Sequence, residues 1–179
     1  TLLEATLETL PDARRWLEEF DTTRCPLITV PYADPLLLDL WEGDVYFVNP
    51  AFNPPPLHRM AYRIQEKTGC PALACGSNVG VFQYTVALNL KANPIHLLGY
   101  DACTYSAPEG VAYRTRDSSD MECWLPWSYY IGQHEMKLIA QDIKQRFNVR
   151  TVNMAAGGLL HGDGIETQTQ SQWSLEVMP

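Results

Sequence analysis

Glycine and small polar side chains stand together at Gly76-Ser77-Asn78, and Val79 and Gly80 follow at the start of an apolar segment. Glycine lets a backbone approach a ligand closely, and the free N–H groups at a helix start favour an anion such as phosphate. Ser77 and Asn78 could add side-chain hydrogen bonds. The motif matches neither G-x-G-x-x-G nor the P-loop consensus, so a tight strand-to-helix turn capped by Asn or Ser is an equally open interpretation.

Other residues with useful chemistry follow later apolar runs. Asp101 and Asn153 each close such a run, and Gly157-Gly158 comes shortly after the second. A carboxylate at the end of a strand can accept ribose hydroxyls or help to hold a metal, or it can cap the following loop. Tyr105 could donate a hydrogen bond to a phosphate, and Gly157 and Gly158 offer another place for close backbone approach.

Two histidines and one cysteine are candidates for proton transfer or nucleophilic attack. His134 and His161 could each act as a general base, because imidazole titrates near neutral pH. The metal-ligand spacing H-E-x-x-H is absent, so no metal site is predicted. Cys75 could be a nucleophile if the adjacent helix start lowered the pKa of its thiol, although it more simply ends a buried strand.

These residues need strand ends and helix starts to position them, and the hydrophobic pattern predicts both. Short apolar runs indicate strands at 27–30, 45–48, 71–75, 94–100 and 149–154. Apolar positions at helical spacing indicate helices at 1–20, 35–40, 57–68, 79–90 and 129–147. The alternation predicts an α/β fold with a doubly wound, mostly parallel, Rossmann-like sheet and helices on both faces. Ligands of such sheets bind beyond the carboxyl ends of the strands.

Length and composition limit the kind of protein. The 179 residues predict a single domain over 1–179, with a long loop or lid at 102–127 and a polar tail at 165–179. The 13 Lys+Arg against 21 Asp+Glu give a formal charge of −8, which argues against nucleic-acid binding. No apolar run is long enough for a membrane span. Five cysteines without a C-x-x-C pair predict reduced thiols and a cytoplasmic location, and homo-oligomer formation is left open.

Three segments together resemble a known family. They are Cys75-Gly-Ser-Asn-Val-Gly80, Pro94-Ile-His-Leu-Leu-Gly-Tyr-Asp101 and Asn153-Met-Ala-Ala-Gly157-Gly158. Their order and spacing resemble the hydroxymethylpterin diphosphokinase-like family, which includes the motility accessory factors, a group of flagellin glycosyltransferases. That family is similar in layout to bacterial sialyltransferases that use a CMP-sugar, in which the segment matching Tyr129–His134 carries the catalytic histidine.

The resemblance implies a nucleotide-dependent transferase. It implies nucleotide binding at Gly76, Ser77, Asn78, Asp101, Tyr105, Asn153, Gly157 and Gly158, and catalytic roles for His134 and Asp101. The substrate would be a nucleotide-sugar as glycosyl donor, or ATP as diphosphate donor with Mg²⁺ at Asp101. Family members usually begin with a strand and a Gly-x-Gly-Pro-Ser turn, whereas this chain opens at Thr1 in what should be the following helix. Either the sequence is a trimmed piece, or the protein lacks the first strand and with it half of the nucleotide cradle. The second case favours the alternative of a non-catalytic nucleotide-binding or structural domain.

Overall fold

A computed structural model describes residues 15, 21–31, 33, 35–51, 57–155 and 157–168 of the chain. The chain divides into two compact units, residues 1–74 and residues 75–179. The helix predicted over 1–20, and with it the question of a missing first strand, lies outside the described residues apart from Arg15.

The first unit contains parallel strand pairs joined through helices. Its elements in chain order are a 3-10 turn (Thr22–Arg24), β1 (Leu27–Thr29), α1 (Pro35–Asp39), β2 (Val45–Phe47), β3 (Asn49–Ala51), α2 (Leu57–Thr68) and β4 (Ala72–Ala74). β1 pairs with β2 and β3 pairs with β4, both in parallel. Each pair has a helix between its strands, as the crossover of a parallel pair requires. The helix predicted at 57–68 is confirmed at both ends.

Buried side chains hold the first unit together. Leu27 and Trp41 form its apolar cluster, and the indole Nε1 of Trp41 donates a hydrogen bond to the Cys25 carbonyl at 3.1 Å. The buried amide of Asn49 donates to the Ala61 carbonyl at 2.8 Å, which ties β3 to α2. The residues predicted to bind or transform a substrate begin at position 75, so none of them belongs to this unit.

The second unit combines a parallel sheet with a hairpin. Its elements in chain order are α3 (Val79–Asn89), β5 (Ile95–Leu97), β6 (Ala112–Arg116), β7 (Glu122–Pro126), α4 (Trp127–Phe147), β8 (Thr151–Asn153) and β9 (Ile165–Thr167). β5, β8 and β9 form a three-stranded parallel sheet in that order, and β6 and β7 form an antiparallel pair. The core contains Val81 and Tyr84 of α3, Met136 and Ala140 of α4, and Leu97 of β5.

Two segments differ from the prediction. Residues 102–127 were expected to be a loop or lid without regular structure, but they contain the hairpin of β6 and β7. The sequence pattern does not reveal the hairpin, because β6 is largely exposed and polar and has no apolar alternation. Arg114 of β6 pairs with Glu122 of β7 across the strands. The predicted polar tail also begins with a strand, because β9 pairs with β8. Residues 169–179 lie outside the described part.

The predicted α/β class is confirmed by the alternation of helices with parallel strands. The strands of the described residues fall into separate short sheets, and the single doubly wound sheet stays a prediction. Within the described part, no helix combines the length and apolar character needed to cross a bilayer. All five cysteines are described, and none of them forms a disulfide.

Candidate functional site

The turn before α3 is built by a glycine and an Asn cap. Gly76 adopts φ +65°, a left-handed conformation that glycine accepts without strain. Asn78 is the N-cap of α3, with an extended backbone, and its Oδ1 accepts a hydrogen bond from the Val81 N–H at 3.0 Å. The interpretation of this motif as a capped strand-to-helix turn is therefore correct, and the cap uses the Asn78 oxygen that was also a candidate for ligand contact.

The N–H group of Ser77 already has an acceptor. It donates to Oε2 of Glu135, a half-buried residue of α4, at 2.8 Å. A backbone donor that the sequence assigned to a phosphate is thus satisfied by a carboxylate of the chain itself. Sequence reasoning missed Glu135, because the two residues are 58 positions apart and no local pattern connects them.

A cavity of about 460 Å³ opens in the second unit between the start of α3, the end of β5 and the first half of α4. The polar residues that line it are Asn78, Gln83, Tyr100, Asp101, Tyr129 and Gln133. Two residues singled out by the sequence, Asn78 and Asp101, thus share one cavity. Among its described lining residues there is one carboxylate, that of Asp101, and there is no Lys, Arg or His.

Asp101 is held in place through its backbone. Its carbonyl accepts a hydrogen bond from the Leu159 N–H at 2.7 Å. Gly158 lies against it with φ +89°, and a Cβ atom at Gly158 would stand 2.6 Å from the Asp101 carbonyl oxygen. The close backbone approach expected at this glycine is present, and its partner is the backbone of Asp101, just after β5.

Asn153, at the end of β8, has its hydrogen bonds within the protein. Its buried Nδ2 donates to the Leu160 carbonyl at 2.8 Å and to the Tyr100 carbonyl at 3.3 Å, and its Oδ1 accepts from the Ala155 N–H at 3.2 Å. These contacts join the segment after β5 to the segment after β8. Asn153 therefore positions the two strand ends in this structure, whereas the sequence assigned it to a nucleotide.

Tyr105 points into a cluster centred on Asp117, a buried residue that the sequence analysis did not single out. The Tyr105 hydroxyl donates to Oδ2 of Asp117 at 2.7 Å. Asp117 also accepts from the N–H groups of Ser119, Met121 and Gly158 at distances of 2.9 to 3.1 Å. These hydrogen bonds, first of all that from Tyr105, hold the pKa of the Asp117 carboxyl well below its usual range.

The same hydrogen bond acts on the tyrosine in the opposite sense, because donating to Asp117 raises the pKa of the Tyr105 hydroxyl. Gly157 completes the cluster, since a Cβ atom there would stand 2.6 Å from Asp117 Oδ2 and 3.1 Å from the Tyr105 hydroxyl. Tyr105, Gly157 and Gly158 thus meet in one place. That place is the anchor of the β6–β7 hairpin, and none of these three residues is among those that line the cavity.

Each of the two candidate histidines directly follows, in the sequence, a residue that lines the cavity. His134 follows the lining residue Gln133 on α4, and His161 follows the lining residue Leu160. Both imidazole rings are exposed. Cys75 is almost fully buried, and this burial raises the pKa of its thiol to about 11. A nucleophilic cysteine needs a lowered pKa, so the thiol does not fit that role.

Comparisons with known proteins bear on the fold. No protein-family model matches the sequence, and no curated protein matches it at a significant level. The chain is similar to a solved structure described as that of the MAf glycosyltransferase from Magnetospirillum magneticum AMB-1, with a TM-score of 0.66 and 22% identity. The match covers 97% of this chain and 26% of that chain, so this chain spans about a quarter of the other protein's length. At this level of identity the likeness supports the α/β fold.

Proposed function

We propose that the second unit binds a nucleotide-sugar and takes part in glycosyl transfer. The observation that carries this proposal is the cavity that Asn78 and Asp101 share at a strand end and a helix start. Sites of this kind in α/β folds bind ligands at the carboxyl ends of parallel strands. The likeness to a structure described as a glycosyltransferase favours sugar transfer among the reactions that such a site could serve.

Each part of the cavity has a proposed role. The Asp101 carboxylate accepts hydrogen bonds from sugar hydroxyls, which are good donors to an ionised acceptor. Gln83 and Gln133 line the same space. Gln83 Oε1 accepts from the Tyr100 hydroxyl at 2.7 Å and Gln133 Nε2 donates to the Leu159 carbonyl, and the amides held in this way can bind polar groups of the ligand through their remaining capacity. Because the described lining has no cationic side chain, donor phosphate depends on backbone N–H groups at the start of α3. Asn78, Val79 and Gly80 line the cavity there, and Gly76 and Ser77 of the Gly76–Asn78 turn directly precede them.

The acceptor hydroxyl needs a base to remove its proton, and His134 is our candidate for it. It is exposed on α4, directly after the cavity-lining residue Gln133, so a bound acceptor can reach its ring from solvent. A neutral imidazole can take a proton near pH 7. In this proposal Tyr105, Asn153, Gly157 and Gly158 support the site by fixing the strand ends around it.

Diphosphate transfer from ATP is less well supported by the cavity. Mg²⁺ in such enzymes is usually held by one or two carboxylates together with substrate phosphates. Asp101 is the one carboxylate of the described lining, and the described residues contain no group of three or more His, Cys, Asp or Glu that could hold a metal ion. The described lining thus offers the minimum of carboxylates for such a site, and the preference for glycosyl transfer rests on the likeness to a structure described as a glycosyltransferase.

A non-catalytic binding domain is the second candidate function. The specific observation in its favour is that the Ser77 N–H donates to Glu135, so part of the proposed phosphate site is filled from within. A domain that keeps the fold without the chemistry would tolerate such a contact. It would bind a nucleoside or sugar weakly and would transfer nothing.

Calorimetry on Asp101→Asn tests the proposed function. The ligands are CMP, a CMP-sugar and ATP, with and without Mg²⁺. We expect CMP and the CMP-sugar to bind without metal and Asp101→Asn to weaken both by about tenfold or more, because a hydrogen bond to a charged group contributes about 1.5–3 kcal/mol. Asp163→Asn is the matched control, since it removes an exposed carboxylate outside the cavity lining. Equal loss in both variants, or no binding by the unmodified protein, would contradict the proposal.

A further inference from the structure

Glu135 makes a contact that bears directly on the proposed phosphate site. Its Oε2 lies 2.8 Å from the backbone nitrogen of Ser77, and the hydrogen bond joins α4 to the turn before α3. The side chain is half-buried, so it is not simply extended into solvent. A carboxylate is therefore held where a negatively charged ligand group would be stabilised.

The residue before the donor is a glycine in crowded surroundings. A Cβ atom at Gly76 would stand 2.3 Å from Cγ1 of Val81, and 3.1 Å from Glu135 Oε2. The same glycine has a left-handed backbone, which turns the chain before the Asn78 cap. We call the Ser77 N–H group, which lies between this glycine and the Asn78 cap, the seat of the Glu135 carboxylate.

The seat adjoins the cavity through Asn78 without being part of its lining, and the described lining residues offer no cationic side chain to a second anion. Asn78, Val79 and Gly80 line the cavity beside the seat, and the lining carries Asp101 but no Lys, Arg or His among its described residues. A phosphate that enters while Glu135 is in place thus meets a nearby carboxylate and finds no cationic side chain in the lining. Two unit charges about 4 Å apart repel by ~1 kcal/mol even in water, which corresponds to about fivefold in affinity.

We infer that Glu135 is a built-in competitor for the phosphate of the ligand and sets the affinity and selectivity of the cavity. The carboxylate occupies the N–H group of Ser77 when the cavity is empty, and a phosphate binds there only after the Glu135 side chain has turned away. The cavity accordingly discriminates against anions relative to neutral ligands of the same shape. This inference rests on the proposed function, since it concerns the same ligand site.

The test compares CMP with cytidine on Glu135→Gln. The glutamine keeps an oxygen that can accept from Ser77 N–H but loses the charge, so the fold should be retained, and thermal unfolding checks this. We expect Glu135→Gln to bind CMP and inorganic pyrophosphate about fivefold or more tightly than the unmodified protein, with the affinity for cytidine unchanged. Asp142→Asn is the control, because it removes a carboxylate of the same helix about 10 Å further along.

The outcomes separate this inference from the proposed function. If the unmodified protein binds CMP and Glu135→Gln binds it equally well, or if cytidine gains as much as CMP, the competitor role is wrong while nucleotide binding stands. If neither protein binds CMP or pyrophosphate, both proposals fail. Tighter binding of CMP by Glu135→Gln than by an unmodified protein that itself binds CMP, with the affinity for cytidine unchanged, supports the inference.

A second measurement does not depend on the variant. In the unmodified protein, a CMP titration followed by NMR should shift the Ser77 amide resonance, because the acceptor of that N–H changes from carboxylate to phosphate. Cytidine should leave this resonance in place. A CMP complex in which the Ser77 signal does not move would mean that Glu135 keeps its contact, and the inference would be overturned.

Discussion

The side chain of Asn78 packs directly against Gly132 of α4 and leaves no room for a side chain at position 132. A methyl group at the buried Gly132 of α4 would overlap Nδ2 of Asn78, whose Cγ would stand 3.0 Å away. We expect Gly132→Ala to lower the free energy of unfolding by about 1–3 kcal/mol, the usual cost of overpacking. Helix propensity alone predicts the opposite sign, a gain of about 1 kcal/mol for alanine over glycine. Urea denaturation measures the difference.

A double-mutant cycle identifies the cause. Asn78→Ala removes the cap of α3 and should cost about 1 kcal/mol by itself, but it also removes the group that the new methyl would strike. Gly132→Ala should therefore cost little, or even stabilise, in the Asn78→Ala background. A stabilising effect of Gly132→Ala in both backgrounds would show that this contact does not limit the packing of α4.

At the residue scale, the sequence identified residues whose roles depend on local geometry. Asn78 as a helix cap and Asp101 at a strand end follow from turn chemistry and from the alternation of elements. Glu135 and Asp117 could not be found this way, because their partners Ser77 and Gly158 are distant in the chain. A side chain acquires such a role only after tertiary packing has brought two segments together.

At the scale of elements, the β6–β7 hairpin is attached to the sheet through its turn. Asp117 begins that turn and accepts a hydrogen bond from the Gly158 N–H, and the Ser118 N–H donates to the Gly158 carbonyl at 3.1 Å. Across β6 and β7 themselves, exposed pairs such as Arg114 with Glu122 contribute little. Trp124 of β7 also exchanges two backbone hydrogen bonds of 2.8 Å with Thr104, so the ionised Asp117 carboxylate and its donors form one of two attachments of the hairpin.

Asp117→Asn should remove the part of the protein's stability that depends on the ionisation of this carboxyl group. The pKa of Asp117 is lowered in the folded state from an ordinary value of 3.8, so its stabilisation is complete above that value and is lost as the pH falls through the folded pKa. The unmodified protein should thus have the higher melting temperature at pH 7, and its advantage over Asp117→Asn should shrink below about pH 4.

Asp120→Asn is the matched control for this pH series. It changes a carboxylate of the same turn that is 85% exposed and pairs with Arg116 on the surface. Its melting temperature should follow that of the unmodified protein at every pH. A constant difference between Asp117→Asn and the unmodified protein down to about pH 2 would contradict the role assigned to the ionised Asp117.

Elements with an apolar face were predictable, and exposed ones were not. The helix at 57–68 and the strands at 27–29, 45–47, 72–74 and 95–97 follow from helical spacing or from short apolar runs. β6 and β9 carry polar residues on short strands, so no period in the sequence distinguishes them from loops. They are held by backbone pairing and by long-range contacts such as that of Arg150 with Glu166 at 2.8 Å.

At the scale of the whole molecule, the formal charge of −8 opposes the approach of any phosphate. Salt screens this repulsion, so the affinity for CMP should rise when NaCl is increased from about 20 to 200 mM, as the Debye length falls towards ~8 Å. Proteins that bind phosphate with clustered Lys and Arg show the opposite dependence. Calorimetry at several salt concentrations measures how the affinity for CMP depends on NaCl. A clear loss of affinity at higher salt would point to cationic contacts that the described cavity lining does not have.

The parallel pairing of β5 with β8 has a consequence for the order in which the second unit folds. The hairpin and α4 lie between these two strands in the chain, so their pairing closes a long loop at a considerable cost in chain entropy. Hairpins and helices form through local contacts in microseconds or less, whereas non-local pairing is slow. The cavity is lined by Asp101, which follows β5, and by Leu160, which follows β8, so it is complete only after that late pairing. We therefore expect the cavity to be among the last parts of the unit to form.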